Sequence, residues 1–430
     1  MSAIDAANYE EITIESNDGT KTVDLRLGVV SFDYFEDLFS PTITAKMVVV
    51  NTGGTVQGDG GKFESIYNGL PLRGGERVRL KISPAGSSNV PLDFASKVTD
   101  YFYVSSIFNV LKSGQKEMFS IDLVPREAIS NEATCVHKKF PRDQRISDSV
   151  RGILKDFLKT DKIGVIDETQ NQYGFFGNYR KPFRLLVWLA SKAVPATKDA
   201  FAGFFFYQTK DGFNFRSIDS LISEGIDSPK AVYQEGLGPA ADFKILNYSI
   251  ERNHDLLKKM RVGTYSSFFM QFNPYTGNFT KEAQGKFNLN DYTGKTKNLG
   301  SDPEIPKVVN DSNFTLANTP TRIVTAVANI GTIDTGATAA PNASVELYQR
   351  QALLRYNLLF MQTLNITVPI NSSLKVGDVI ECRFTKTTNS QPGFESGLYM
   401  IKELRHTFKS DISLTSMKLI RDTYGEFGTK

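Results

Sequence analysis

The feature that most constrains this chain is a weak internal duplication between its two ends. The segment Leu72–Ile82 (LRGGERVRLKI) matches Leu374–Phe384 (LKVGDVIECRF), and a glycine followed by an acid stands at the same place in each (Gly75–Glu76 and Gly377–Asp378). Apolar residues then alternate in the same phase, which is typical of a strand with one buried face. Each copy is therefore predicted to be a glycine–acid turn that leads into a strand.

A second block, Tyr103–Val124 and Tyr399–Ile420, aligns without gaps. The matched pairs are Tyr103 with Tyr399, Phe108 with Leu404, Met118 with Leu414, Ile121 with Met417, Leu123 with Leu419 and Val124 with Ile420. Any two β-meanders can be slid into apparent agreement, so apolar phase alone would mean little. Because glycine, acid, tyrosine and phase agree together, we interpret the match as a true duplication of a β-barrel.

The first part of the chain changes character after about residue 125. Residues 1–125 read as strands and are predicted to form the first barrel, whereas residues 126–238 are predicted to be an α+β insertion. Helical spacing runs from Ile146 to Phe157, and a second helix begins near Pro182, a residue tolerated at the first helical position. The apolar stripe of that second helix is predicted to be Phe183, Leu186, Val187 and Ala190. An aromatic hairpin is expected across Asp211–Gly212.

The second barrel is predicted to be split, over 239–262 and 345–424. Long strands are expected from Asp242 to about Phe272, and a helix from about Ser344 to Met361. Residues 263–344 are rich in Asn, Thr, Gly and Pro with isolated aromatics, and two interpretations stay open: a β-rich projection or a long loop excursion. The fold class is thus α+β and β-dominated.

Composition excludes several classes of protein. Fifty basic and 47 acidic residues give a net charge of +3, without the basic surplus of a dedicated nucleic-acid binder. The two cysteines, Cys135 and Cys382, are far apart and are each expected to be small core residues rather than a disulfide framework. The first residues do not resemble a signal peptide, and no apolar run approaches the ~20 residues of a membrane helix.

The sequence carries no motif typical of catalysis or of metal binding. The histidines are His137, His254 and His406, with no HExxH spacing. Gly294–Lys295–Thr296 resembles the end of a phosphate-binding loop, but Leu289 stands where that motif needs glycine. No GxSxG elbow occurs, and Glu10–Glu11 and Asp167–Glu168 read as solvated charge. We therefore predict no enzyme, no cofactor, and no catalytic, metal or cofactor-binding residues, while binding residues stay unknown.

The chain resembles the baseplate hub proteins of contractile-tailed phages and the related hub modules of contractile injection systems and type VI secretion spikes. The resemblance rests on the turns that begin at Leu72 and Leu374, on Gly397–His406 (GLYMIKELRH) and on Asp122–Glu127 (DLVPRE). It implies two tube-forming barrels whose long hairpins line a central channel. No spike or lysozyme domain follows Lys430, so a stand-alone hub is expected.

The resemblance also implies partners and a place. The expected assembly is a homotrimeric ring with pseudo-sixfold symmetry in the virion, made in the host cytoplasm. The sixfold tail tube would lie on one face and a trimeric central spike protein on the other, with baseplate wedge proteins and the tape measure as further partners. DNA would only pass through the lumen, and no membrane insertion is expected.

Two alternatives stay open. A viral receptor- or carbohydrate-binding tail module would use the aromatic-rich 263–344 region as its binding face. A tail-associated cell-wall hydrolase would need catalytic residues that the motifs do not supply.

Overall fold

A computed structural model gives the fold of the chain. It describes residues 2–423 apart from 58–60, 87–88, 115, 198–200, 237–239, 253–254, 275, 281–284, 304, 308–314, 328–344 and 385–394. Strands make up 43% of the structure and helices 19%, which confirms the β-dominated α+β class. His254 lies outside the described residues.

The first part of the chain is made almost entirely of strands. Its elements are β1 (Asn8–Glu15), β2 (Thr22–Asp24), β3 (Val29–Asp37), β4 (Thr44–Thr52), β5 (Val56–Gln57), β6 (Phe63–Glu64), α1 (Ile66–Gly69), β7 (Arg77–Ser83), β8 (Leu92–Phe94), β9 (Phe102–Ser113) and β10 (Lys116–Pro125). The basic cluster on β7 forms cross-strand ion pairs with β1, where Arg79 meets Glu11 and Lys81 meets Glu10. The charges on this face of β7 are therefore neutralised by those of β1.

Helices and short strands then alternate. The elements are α2 (Arg126–Ala133), β11 (Lys139–Phe140), α3 (Ile146–Asp156), β12 (Ile163–Ile166), β13 (Phe175–Phe176), α4 (Pro182–Ala190), β14 (Phe204–Thr209), β15 (Gly212–Ser217), α5 (Ile218–Asp227) and β16 (Val232–Gln234). The predicted aromatic hairpin is confirmed, and β14 and β15 are buried throughout. The predicted stripe of α4 is wrong at Val187, which is 44% exposed, while Leu185 and Leu189 are fully buried.

The rest of the chain returns to strands. Its elements are β17 (Asn247–Arg252), α6 (Leu256–Val262), β18 (Ser266–Asn273), β19 (Asn278–Phe279), β20 (Lys286–Asn288), β21 (Arg322–Val327), α7 (Val345–Leu358), β22 (Gln362–Pro369), β23 (Val379–Arg383), β24 (Gly397–Lys409) and β25 (Ser413–Arg421). The long strands expected over Asp242–Phe272 are interrupted by α6. Asp255 caps that helix by accepting from the backbone N–H of Lys258, and Gly263 ends it at φ +81°.

One sheet joins the two ends of the chain. Its strand order is β17-β22-β25-β24-β3-β4-β10-β9-β7-β1-β2, and β23 also pairs with β24. The seam is the antiparallel pair β24–β3, in which Arg405 lies opposite Phe35. Two hydrophobic cores follow from this arrangement, one inside β1–β10 and one between β22–β25 and the hairpin and helix α5 of the insertion.

The duplication is visible in the hydrogen bonds of the turns. The N–H of Gly75 donates to the carbonyl of Val104, and the N–H of Gly377 donates to that of Ile401. Both glycines have positive φ, at +92° and +87°, a region that residues with a Cβ rarely adopt. The order β3-β4-β10-β9-β7 is repeated by β17-β22-β25-β24-β23.

The gapless alignment of the hairpins is wrong by one residue in their first strands. Val104 pairs with Leu123 and Ile401 with Leu419, so Tyr103 corresponds to Met400 rather than to Tyr399. By the same reasoning Phe108 corresponds to Arg405, not to Leu404. The cause is a β-bulge that β24 lacks: in β9 one extra residue is inserted near Asn109, which has a positive φ.

Candidate assembly site

Two features of this sheet bear on function: the buried seam between its halves and the surfaces that the sheet leaves open. At the seam, Glu36 of β3 is 2% exposed and accepts three hydrogen bonds. The donors are the hydroxyl of Tyr34 at 2.7 Å, the backbone N–H of Lys210 at 2.9 Å and that of Val376 at 3.0 Å. The carboxyl group therefore ties the first half to the insertion hairpin and to the second glycine–acid turn.

Burial sets the electrostatics of this seam. It raises the pKa of Glu36 to about 7, against hydrogen bonds that lower it. His406 of β24 is fully buried, lies 6.1 Å from the Tyr34 ring, and has its pKa lowered to about 3, first by burial and then by Lys210. Its Nδ1 lies 3.0 Å from the hydroxyl of Thr415. These contacts indicate a structural role for His406.

The seam was not predicted, although the strand carried a signal. Period two places Glu36 on the same face as Phe32 and Tyr34, both of which have less than 1% of their surface exposed. An acid on the apolar face of a strand calls for buried donors. Tyr34 supplies one donor locally, but the other two belong to segments more than 170 residues away, which no local pattern identifies.

The opposite face of the sheet is polar and concave. A cavity of about 730 Å³ crosses β17, β22, β25, β24 and β3. Its lining includes Asp37, Asn247, Ser249, Asn365, Thr367, Glu403, Arg405, Ser416 and Lys418. Arg405 forms two hydrogen bonds of 3.0 Å with the carboxylate of Asp33, and Lys402 pairs with Asp37 and Glu403, so these charges of the face are neutralised by ion pairs within it.

The strand edges that have no partner within the described residues include those of β9 and β17. Strand β9 pairs with β7 at Phe102 and Tyr103 and with the first glycine–acid turn at Val104, which leaves the outer edge of Ser105–Ser113 open. Strand β17 pairs on one side with β22, and its other edge is open. Unpaired strand edges present rows of N–H and C=O groups to any other chain.

Within the described residues, the histidines and acids considered above for catalysis or metal binding do not lie together in one site. His137 is at the surface beside Tyr179, and Glu10, Glu11, Asp167 and Glu168 are each held in an ion pair. In the described part of the chain no cluster of three His, Cys, Asp or Glu could hold a metal. Cys382 is a core residue, as predicted, whereas Cys135 is only half-buried. No described helix is long and apolar enough to cross a membrane.

No protein-family model matches the sequence, and no curated protein matches it. Solved structures do. The tail protein from Neisseria meningitidis MC58 is 13% identical to this chain. The match covers 96% of this chain and 97% of that protein, with a TM-score of 0.54. The 43 kDa tail protein of prophage MuSo2 from Shewanella oneidensis is 10% identical. That match covers 96% of this chain and 98% of the tail protein, with a TM-score of 0.52. This chain has the fold of these tail proteins, which confirms the expected resemblance at the level of the fold.

Proposed function

We propose that this protein is a structural subunit of a phage tail, a baseplate hub that works by assembly rather than by catalysis. The observation that carries the proposal is a match between two of its open sheet edges, those of β9 and β17. Within the chain, the outer edge of β24 is covered by β3. Because β9 corresponds to β24 and β17 corresponds to β3, the open edges of β9 and β17 are the duplicated counterparts of that pair.

The duplication also predicts the register of the missing pair. Phe108 and Arg405 lie opposite the matched serines Ser120 and Ser416. Phe35 and Glu251 lie opposite the matched threonines Thr44 and Thr363. Since Phe35 pairs with Arg405 inside the chain, Glu251 of one copy is expected to pair with Phe108 of the next.

Charge favours this pairing. The ammonium group of Lys46 lies 4.7 Å from the Phe108 ring. Within the described residues neither Lys46 nor Glu251 takes part in an ion pair. Pairing β17 with β9 of a neighbour would bring the Glu251 carboxylate towards this cation, and would remove two edges that are otherwise sites of aggregation.

Closure of such contacts gives a ring. Three copies, each contributing the eight strands from β17 to β9, would form a continuous barrel with six similar halves around a threefold axis. The ring would join a sixfold tail tube to a trimeric spike, with wedge proteins and the tape measure as further neighbours. The concave polar face would line the channel and, being neutralised, would let DNA pass without binding it. We propose the virion as the location of the protein. We also propose that its domains are those expected from the sequence: a first barrel over 1–125, an insertion over 126–238, a second barrel over 239–262 and 345–424, and the region 263–344.

Cysteine cross-linking tests the register. In a Cys135→Ser background, Glu251→Cys combined with Phe108→Cys should give covalent species up to the trimer on oxidation, because facing residues on paired strands come within disulfide reach. Each single variant should stay monomeric on denaturing gels, and so should the pair Glu10→Cys with Phe108→Cys. A trimer by light scattering that never cross-links would refute the register.

The mass and the end view of the purified protein test the ring itself. Light scattering should give three times the chain mass of 47.9 kDa, and negative-stain averages should show a six-lobed outline with a central hole. A monomer at every concentration would contradict self-assembly of the ring.

A further inference from the structure

Positive charge gathers on the insertion around the single tryptophan of the chain. The guanidinium of Arg180 and the ammonium of Lys192 each lie 5.2 Å from the centroid of the Trp188 ring. Lys192 also lies 5.5 Å from the ring of Tyr173. A cation within about 6 Å of an aromatic face is attracted by the quadrupole of the ring. The rings therefore hold both cations in place, but they do not neutralise them.

Neither cation has an acidic partner. In the described part of the chain no carboxylate lies within ion-pair distance of Arg180 or Lys192. Burial lowers the pKa of Lys192, and the charge of Arg180 lowers it further. The two cations thus repel each other, and an anion placed between them would relieve that repulsion.

Six cations elsewhere in the insertion are neutralised by carboxylates. The ion pairs are Arg126 with Glu127, Lys138 with Asp156, Arg145 with Glu168, Arg151 with Asp148, Lys162 with Asp100, and Arg216 with Asp167. Between Glu168 and Asp199 the sequence contains no acid but five Lys or Arg residues, in a chain whose charges otherwise nearly cancel. The excess of basic over acidic residues is therefore a local property of this segment.

Apolar groups are exposed in the same segment. Phe176 is 49% exposed, Tyr179 70% and Val187 44%. Arg184 is exposed and is four residues before Trp188 on α4, a spacing that places two residues on one face of a helix. Aromatic residues and arginine together are what protein–protein interfaces are enriched in.

We propose that Arg180, Arg184, Trp188 and Lys192, called here the tryptophan patch, dock an acidic segment of a second protein. Carboxylates of that segment would lie against the cations, and an apolar residue would pack against the exposed Val187. A nucleic-acid site would need cations in rows along a backbone that carries one charge per about 1.7 Å, whereas these few cations are separated by apolar residues. This inference goes beyond the hub proposal and does not depend on ring closure.

Fluorescence tests the patch directly, because Trp188 is the only tryptophan. The probe is the capped peptide Glu-Glu-Leu-Glu-Glu, and the control is Gln-Gln-Leu-Gln-Gln, added to the full-length protein. A saturable change in emission with the acidic peptide, weaker in high salt and absent with the control, is expected. Arg180→Gln with Lys192→Gln should weaken the binding by about tenfold or more, because two charge-assisted contacts are lost.

A matched variant separates the patch from general charge. Lys138→Gln removes a cation of the same domain that Asp156 already neutralises, and should leave peptide binding unchanged. Equal responses to both peptides, or equal weakening by Lys138→Gln, would refute the proposal. Tighter binding of a DNA oligonucleotide than of the acidic peptide would instead assign the patch to nucleic acid. Loss of the oligomer in the double glutamine variant would assign it to contact between copies.

Discussion

The two glycine–acid turns differ by one methylene, and the difference shows how the halves became one sheet. In the first turn, the carboxylate of Glu76 accepts hydrogen bonds from two backbone groups of the same turn, the N–H of Arg73 at 2.6 Å and the N–H of Gly74. In the second turn, the shorter Asp378 accepts only the matching N–H of Lys375, at 2.9 Å. The remaining N–H, that of Val376, is taken by Glu36 from the first half. The second of the two duplicated turns therefore connects the two halves of the chain, through the hydrogen bond between Val376 and Glu36.

The largest expected effect on stability comes from removing the carboxylate of Glu36, which connects the two halves. Glu36→Ala leaves the hydroxyl of Tyr34 and two backbone N–H groups buried without an acceptor, and should cost about 3–5 kcal/mol of unfolding free energy. The carboxylate of Glu76 is buried too, but its donors belong to the exposed Arg73 and the half-buried Gly74, so water can reach them in Glu76→Ala, which should cost about 1–2 kcal/mol. Urea unfolding of both variants measures the difference. Equal losses would mean that the seam is no more important than a local turn.

The pH dependence of the seam sharpens the comparison. The pKa of Glu36 is raised from 4.5 to about 7 in the folded state, so its contribution to stability falls as the pH rises through that window. The pKa of His406 is lowered from 6.5 to about 3, so its contribution rises with pH from about 3 to 6.5. Between about pH 4.5 and 6.5 the two slopes oppose each other.

Removing one group should expose the slope of the other. In His406→Asn, stability is expected to fall by about 3 kcal/mol more than in the wild type between pH 4.5 and pH 7, since one pKa unit corresponds to about 1.4 kcal/mol. Chemical denaturation across that range is the measurement. A variant with the same pH profile as the wild type would show that the two titrations are not opposed.

A smaller difference is expected between the two glycines. A Cβ at Gly377 would lie 2.9 Å from the hydroxyl of the buried Tyr207, whereas a Cβ at Gly75 would lie 3.0 Å from the side chain of the exposed Asn17. Both substitutions force an L-residue to positive φ, at about 1 kcal/mol. Gly377→Ala should cost about 1–2 kcal/mol more, because Asn17 can move aside. Thermal unfolding of the pair measures this gap, which should vanish if Tyr207 also yields.

Exchanging the acids should have the smallest effect. Glu76→Asp shortens the side chain so that the N–H of Gly74 loses its acceptor, at about 1 kcal/mol or less because water replaces it. Asp378→Glu should be close to neutral, since Glu36 already holds the N–H of Val376. If Asp378→Glu instead destabilised the protein as much as Glu36→Ala, the division of acceptors described here would be wrong. Urea midpoints decide between the two.

Much of the fold could be predicted because its signals are local. Alternation marked the strands of both copies, Pro182 marked the start of α4, and Asp211–Gly212 marked the aromatic hairpin. The predictions that were wrong concern places where a local signal was overlooked or where a β-bulge interrupted the strand pattern. The capping residue Asp255 and Gly263 would have revealed α6 inside the expected strands, and the bulge at Asn109 shifted the alignment of the hairpins.

The sequence by itself determined the duplicated turns, because positive φ at Gly75 and Gly377 and the acid that follows are requirements of a few adjacent residues. Only the tertiary structure decided what those turns connect. The seam of β3 with β24 and the two backbone N–H groups that donate to Glu36 depend on hydrogen bonds between residues that are far apart in the chain, and the strand order decides which edges stay open. Backbone hydrogen bonds are alike at every residue, so a strand pattern tells which face is buried but does not tell which strand will be its neighbour.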